Sequence, residues 1–381
     1  MVLKIMRTWK DIIDKYLEQS QDISEIETNG TTSLFIKDKG KRVELPGFFE
    51  NEMDYFEKTK ELAKMVDPDY KGEENYDYPK FLVEGRLLLS GTSARVHIVL
   101  PPAADSPQVT IAKKTTRLST LKGIKDTKSM NSQMYDFIKA AIACNQTIIV
   151  SGGTGSGKTT ILEAMTREFN YTDRIGVVED SPELKLQQPN VTYLHSTLWK
   201  PGSDKNSVAT LSWCVQQINR QRTDKLIIGE TRGKEFADFI IGANSGMEGS
   251  LTTIHANNPR LALQKMNQFI SQAQVQATAR TVNETIAAAI DIIIQLGFDK
   301  NGKNKIISIT EVSDIINGAE SAQIATSPLF TFDDEVNDWK FEGFPSEKLR
   351  VVLEKNNYDT KTFALKDSLK SSSIQPNRFR K

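Results

Sequence analysis

The residues with the clearest chemistry stand in one glycine-rich string, Ser151-Gly-Gly-Thr-Gly-Ser-Gly-Lys-Thr-Thr160. Gly152, Gly157, Lys158 and Thr159 fall in the order G-x-x-x-x-G-K-T, the spacing of a phosphate cradle. Glycines allow backbone angles and a close approach that a Cβ would block, so successive N–H groups can turn toward one phosphate. A helix opening at Lys158 would add the partial positive charge of its N-terminus. Lys158 brings a mobile ammonium for the β and γ oxygens, and the Thr159 hydroxyl is a ligand suited to Mg2+. The residues expected to hold the nucleotide are therefore Gly152, Gly153, Thr154, Gly155, Ser156, Gly157, Lys158, Thr159 and Thr160. ATP and Mg2+ are the expected cofactors.

Hydrolysis asks for more than a cradle: an acid to orient water and a carboxylate on the metal side. Two apolar runs end in acids. Ile175-Gly-Val-Val leads into Glu179 and Asp180, with Glu183 close behind, and Leu226-Ile-Ile-Gly leads into Glu230. Ligands of open α/β sheets bind outside such strand ends. His255 ends a third run, Leu251–Ile254. His97 and His195 lack comparable surroundings and read as structural.

These residues need elements to hold them. From Ser132 onward, helical stretches alternate with short apolar runs, as a sheet covered on both faces requires. The string follows one such run, Thr147–Val150, and opens an amphipathic helix. Residues 33–100 mix β-like runs with a helix around Glu52–Met65 and read as a small α+β domain. Near the N-terminus, Trp9, Ile12, Ile13, Tyr16 and Leu17 recur at helical spacing, and the acids opposite them favour packing on the parent domain over a membrane surface. Pro101-Pro102 and the Thr/Ser/Lys-rich stretch after it mark a hinge. The expected organisation is 1–105 N-terminal domain, 106–130 hinge, 131–365 catalytic domain with its extension, and a disordered tail at 366–381.

Composition narrows the classes. Lys plus Arg and Asp plus Glu are equal at 49 each, so no basic surplus points to nucleic acid as the default ligand. The only two cysteines, Cys144 and Cys214, are too few for a disulfide framework and read as buried thiols. No apolar run is long enough to span a bilayer, and Met1–Lys15 lacks a signal core. The expectation is a soluble cytoplasmic protein whose membrane contact is peripheral.

Four stretches in order, GGTGSGKTT (152–160), RIGVVEDSPEL (174–184), DKLIIGETRG (224–233) and GSLTTIHANNP (249–259), resemble the Walker A, Asp box, Walker B and His box of the type II/type IV secretion ATPase superfamily. RVHIVLPP (95–102) and the region 291–312 extend the likeness on both sides. The resemblance implies an α/β fold, a RecA-like P-loop ATPase domain preceded by a smaller α+β N-terminal domain, and a homo-hexameric motor. Its place would be the cytoplasmic membrane face, its partners membrane-embedded secretion, conjugation or type IV-like pilus components. Carried over by motif, Glu183 polarises water, Glu179 and Asp180 support it, and Glu230 acts on Mg2+. His255 senses the γ-phosphate. Arg220, Arg222 and Arg232 are candidates to reach a neighbour's nucleotide, and Arg95 is a second candidate from the N-terminal domain.

Three departures stand out. Ala112 replaces an arginine common in the family, leaving Lys113 or Arg117 as substitutes. Met247 stands where histidine is common, and Thr223 where proline is. The cysteine-rich module of type II assembly ATPases is absent, which favours the type IV secretion or Tad-like pilus side. A RecA-like nucleic-acid translocase is the alternative reading, against which the neutral charge and the His box argue. A scaffold without catalysis is a third, against which Lys158, Thr159, Glu183 and Glu230 argue.

Overall fold

Two units divide the chain, Met1–Arg117 and Leu118–Lys381. The computed structural model describes residues 8–20, 22–30, 33–38, 41–46, 48–68, 70, 81–90, 92–113, 120–180, 182–197, 208–273, 277–317 and 322–363. The expected tail at 366–381 and Arg117 lie outside the described residues.

In the first unit, α1 (Trp9–Ile13) starts at a capping box between Thr8 and Asp11 and widens into a π-helical turn, Asp14–Glu18. Trp9, Ile12, Ile13 and Leu17 are buried, so the apolar stripe is spent inside the unit. An antiparallel sheet follows, built from β1 (Ile23–Asn29), β2 (Ser33–Asp38), β3 (Lys41–Pro46), β4 (Leu82–Leu89), β5 (Thr92–Val99) and β6 (Gln108–Lys113), with α2 (Glu52–Val66) between β3 and β4. Its order is β3-β2-β1-β6-β5-β4. Residues alternate in β5 and β6: Ala94, Val96, Ile98, Val109 and Ile111 join the core with Tyr55, Leu62 and Ala63 of α2. Strand β6 falls within the 106–130 stretch read as hinge. Its own alternation, with Val109 and Ile111 inward, seats it between β1 and β5.

The second unit is a layered α/β body. Its elements are α3 (Leu121–Asp126), α4 (Ser132–Ala143), β7 (Ile148–Gly152), α5 (Lys158–Thr166), β8 (Ile175–Glu179), β9 (Val191–His195), α6 (Leu211–Arg220), β10 (Lys225–Thr231), α7 (Glu235–Ala243), β11 (Leu251–Ile254), α8 (Pro259–Ala273), α9 (Ala279–Ala289), β12 (Ile292–Phe298), β13 (Asn304–Asn317), β14 (Ala322–Asp333), β15 (Asp338–Phe341) and α10 (Glu347–Lys355). The nine strands lie in the order β15-β14-β13-β12-β7-β11-β10-β8-β9. From β12 to β9 every pairing is parallel, and β13, β14 and β15 add an antiparallel margin. Strands β7, β8 and β11 are buried along their whole length. Buried on both faces, they serve two cores at once: Ile148 and Val150 of β7 face one, Ile149 the other. Residues Leu121 and Ile124 of α3, also inside the expected hinge, are buried in the first of these cores.

Two of the departures from the family pattern meet. The buried Thr223 hydroxyl donates to Met247 Sδ at 3.0 Å. A buried hydroxyl needs an acceptor and a thioether supplies a weak one.

Candidate phosphate-binding and hydrolytic site

Parallel pairing sends the carboxyl ends of β7, β11, β10 and β8 to one edge of the sheet. Neighbouring strands are ~4.8 Å apart, so residues just past those ends are near enough to touch. The order across the edge is Lys158 after β7, His255 after β11, Glu230 in β10, then Glu179 and Asp180 at β8.

The cradle begins where β7 stops. Gly155 and Gly157 have φ of 74° and 90°, in the left-handed region that favours glycine. Gly152 is close-packed instead: an added Cβ would lie 2.4 Å from Ser156 Oγ and 3.1 Å from the Leu296 carbonyl. Ser156 Oγ donates to the Gly153 carbonyl at 2.8 Å, and Asn304 Nδ2 to the Gly155 carbonyl at 3.2 Å, so the loop is pinned from two sides. Helix α5 starts at Lys158 with Gly157 as N-cap and no side-chain cap. Its first-turn N–H groups therefore face outward for an anion to accept, and a Cβ built on Gly153 would meet nothing within 4 Å. These features fit a nucleotide's phosphates. Thr159, half-buried in that first turn, and Glu230 are the residues that would hold Mg2+.

Lys158 is buried, with its ammonium folded back to donate to the carbonyls of Gly152 and Gly153 at 3.0 Å each. It also lies 3.3 and 3.4 Å from the two ring nitrogens of His255. His255 Nε2 is 2.9 Å from Glu230 Oε1, while the other Glu230 oxygen accepts from Arg232 Nη2 at 2.8 Å. Arg232 Nη1 lies 3.6 Å from Asp180 Oδ2. A chain of polar contacts, Lys158–His255–Glu230–Arg232–Asp180, thus runs along the strand ends in the order of the strands. Burial would raise the Glu230 pKa, but the Arg232 hydrogen bond and the charges of Arg232, His255 and Lys158 outweigh it and hold the carboxyl below its ordinary value. Burial, with Lys158 next, lowers the pKa of His255, while Glu230 opposes the shift. Burial likewise lowers that of Lys158 against the pull of Glu230.

A bulge aims Glu230. The β10–β11 register shifts between Ile228 and Thr231, Thr253 Oγ1 donates to the Gly229 carbonyl at 2.8 Å, and Thr231 Oγ1 to the Thr253 carbonyl at 3.0 Å. Such bulges re-aim side chains beside functional sites. Buried Glu179 acts on its own loop: its carboxylate accepts from the backbone N–H of Glu183 at 3.0 Å and of Leu184 at 3.1 Å. It fixes the peptide that carries half-buried Glu183.

Other candidates sit elsewhere. Arg220 and Arg222 are exposed at the end of α6 and just beyond it, before β10 begins. Seven residues of strand, ~20 Å, separate that edge of the sheet from the end of β10 that carries Glu230. Arg95 belongs to the first unit, opposite Arg86 and Ala112 in the sheet and 3.9 Å from Glu84. His97 Nδ1 is 2.7 Å from the same Glu84, and His195 ends β9. The Lys113 ammonium donates to the carbonyls of Leu17, at 2.6 Å, and Ser20.

The sequence motifs passed over some contributors. Lys265 of α8 donates to the His255 carbonyl at 2.5 Å, and Glu235 accepts from the N–H groups of Arg232 and Gly233 at 2.5 and 2.7 Å. Gln295 donates to the Ala256 carbonyl at 3.1 Å; a lone amide in the apolar run 292–296 was its signal. Beside the cradle is a cleft of about 410 Å³ lined by Gly153, Thr154, His255, Leu261, Lys265 and Gln268, among others.

The family described as "Type II/IV secretion system protein" matches residues 84–321. Conjugal transfer protein TrbB of Rhizobium radiobacter is 31% identical over 227 residues, 59% of this chain and 65% of that protein. Probable conjugal transfer protein TrbB of Sinorhizobium fredii is 27% identical over 323 residues, 84% of this chain and 91% of that one. The first curated relatives are matched over 64 or 65% of their own length. The solved structure of the Yersinia pseudotuberculosis ATPase DotB shares the fold with a TM-score of 0.55, at 15% identity and 82% coverage of each chain. The chain belongs to the type II/IV secretion system protein family.

Proposed function

We propose that this member of the type II/IV secretion system protein family is a Mg2+-dependent ATPase, the cytoplasmic motor subunit of a type IV secretion or conjugation apparatus. One observation carries the reading: a glycine cradle and its lysine share a strand-end edge with an ionised glutamate and a histidine already in contact with that lysine. Lys158 exchanges its two carbonyl contacts for β and γ oxygens. Glu230, kept ionised by Arg232, faces the metal side with Thr159, and His255 meets the γ-phosphate. Glu183, on the peptide held by Glu179, orients the attacking water. Bound Mg2+ neutralises developing charge on the phosphate oxygens. The relatives' names, conjugal transfer proteins, support DNA-transfer or protein-secretion machinery as the consumer of this work.

Arg220 and Arg222, on the far edge of the sheet, serve this chemistry from a neighbouring subunit of a homo-hexamer. No helix among the described residues is long and apolar enough to cross a membrane, which agrees with peripheral association through membrane-embedded partners. The test is phosphate release by the purified chain. It should require Mg2+ and be unaffected by single-stranded DNA. Absence of Mg2+-dependent release under assembling conditions would refute the ATPase; several-fold stimulation by single-stranded DNA would favour the translocase.

A further inference from the structure

At the carboxyl edge of the sheet, Arg232 bridges two acids that the sequence keeps fifty residues apart. Arg232 follows β10 directly. Its backbone N–H, with that of Gly233, donates to the buried carboxylate of Glu235 in the first turn of α7. Its guanidinium spans acids from two strands, Glu230 Oε2 at 2.8 Å and Asp180 Oδ2 at 3.6 Å. Asp180 is itself oriented by Ser196 Oγ, which donates at 2.6 Å. Glu230 keeps its second oxygen on His255. Held at its backbone by one acid and at its half-exposed head by a hydrogen bond to a second, with a third 3.6 Å away, this arginine resembles a strut more than an arm extended toward a neighbour.

We propose that Arg232 is a positioning residue acting in cis: it fixes the Glu230 carboxylate by one oxygen so that the other is presented toward Lys158 and His255, where the γ-phosphate and metal are handled. The inference rests on the ATPase reading above. A planar guanidinium suits this task because its two terminal nitrogens, at a fixed separation, reach two acids at once, Nη2 on Glu230 and Nη1 toward Asp180, which a single ammonium cannot do. An arginine that instead completed a neighbour's site would have to leave both acids.

The two roles separate by subunit mixing. R232A should bind a fluorescent ATP analogue within about threefold of the parent and hydrolyse ATP about 100-fold more slowly, an effect on kcat with little on KM. R232K should recover only part of the rate, since it keeps the charge and loses the second nitrogen that faces Asp180. Assemblies co-purified through two tags, one on R232A and one on K158A, should stay inactive, because each subunit lacks a group its own site needs. Hydrolysis restored in those mixed assemblies would show Arg232 serving a neighbour and overturn the proposal, as would parental kcat in R232A. If R232A fails to bind the analogue, D180N takes its place, with a smaller fall in kcat at unchanged affinity expected and no fall contradicting the inference. An unmodified chain with no ATPase at all would fault the functional reading instead.

Discussion

The two edges of the nine-stranded sheet use the same residue types to opposite ends. At the carboxyl edge, Lys158, Glu230 and Arg232 are held by one another, by His255 and by two loop carbonyls. At the amino edge, buried Lys225 donates to Asn145 Oδ1 at 2.6 Å and to the Glu248 carbonyl at 3.4 Å. There Asp291 accepts from the Thr147 N–H at 2.9 Å and from Lys348 at 3.2 Å. Buried charge is therefore no mark of a site. What differs is replaceability. The contacts of Lys158 are ones phosphate oxygens can take over, beside glycines that leave room. Those of Lys225 are closed in: a Cβ on Gly249 would lie 2.8 Å from its Nζ and 2.9 Å from the Asn145 Cα.

Substitution at each edge should break the comparison in opposite ways. The largest effect expected is on K158A, which should lose nucleotide binding and at least 1,000-fold in hydrolysis while its thermal midpoint moves little; retained ATPase would remove Lys158 from the site. K225A should do the reverse. It leaves the Asn145 carbonyl oxygen without its donor and a cavity behind, and should cost about 2–3 kcal/mol in chemical denaturation, with kcat of the folded fraction unchanged. K225M, which fills the volume without a buried charge, should cost about half as much or less. Equal losses in the two variants would mean that the charge, and not the packing, stabilises this edge. The smallest effect belongs to T223V, which deletes the bond to Met247 Sδ and keeps the shape: about 1 kcal/mol or less of stability, and no change in hydrolysis.

The same contrast explains what could be read in advance. Apolar runs separated by helices announced a parallel sheet because strands buried on both faces, such as Ile148–Gly152 and Ile175–Glu179, have no polar alternation to confuse the pattern. The cradle was legible for a different reason: its chemistry depends on contiguous residues. Strand order was not legible. Chain order places Glu179 before Glu230 and His255 last, whereas in space His255 stands next to Lys158 and Glu230 beyond it. The contacts of Lys158 with His255, and of His255 with Glu230, come from that shuffling. Strand β6 was missed because two prolines and a run of Thr, Ser and Lys surround a short alternating segment, and composition outweighed the period of two. Arg232 was noticed by motif, but its grip on Asp180 needed β8 beside β10. Arg220 and Arg222 were near Glu230 in sequence and are separated from it by the length of a strand.

The account turns on the claim that Glu230 belongs to the reaction and not to the cradle. E230Q keeps the shape and the hydrogen bonds of a neutral amide while removing the charge that Arg232 and His255 meet. Nucleotide affinity and single-turnover hydrolysis measured together on this variant give the most direct test. The prediction is a Kd for ATP within about threefold of the parent and a hydrolysis rate at least 100-fold lower. Parental hydrolysis in E230Q, with ATP bound normally, would contradict it.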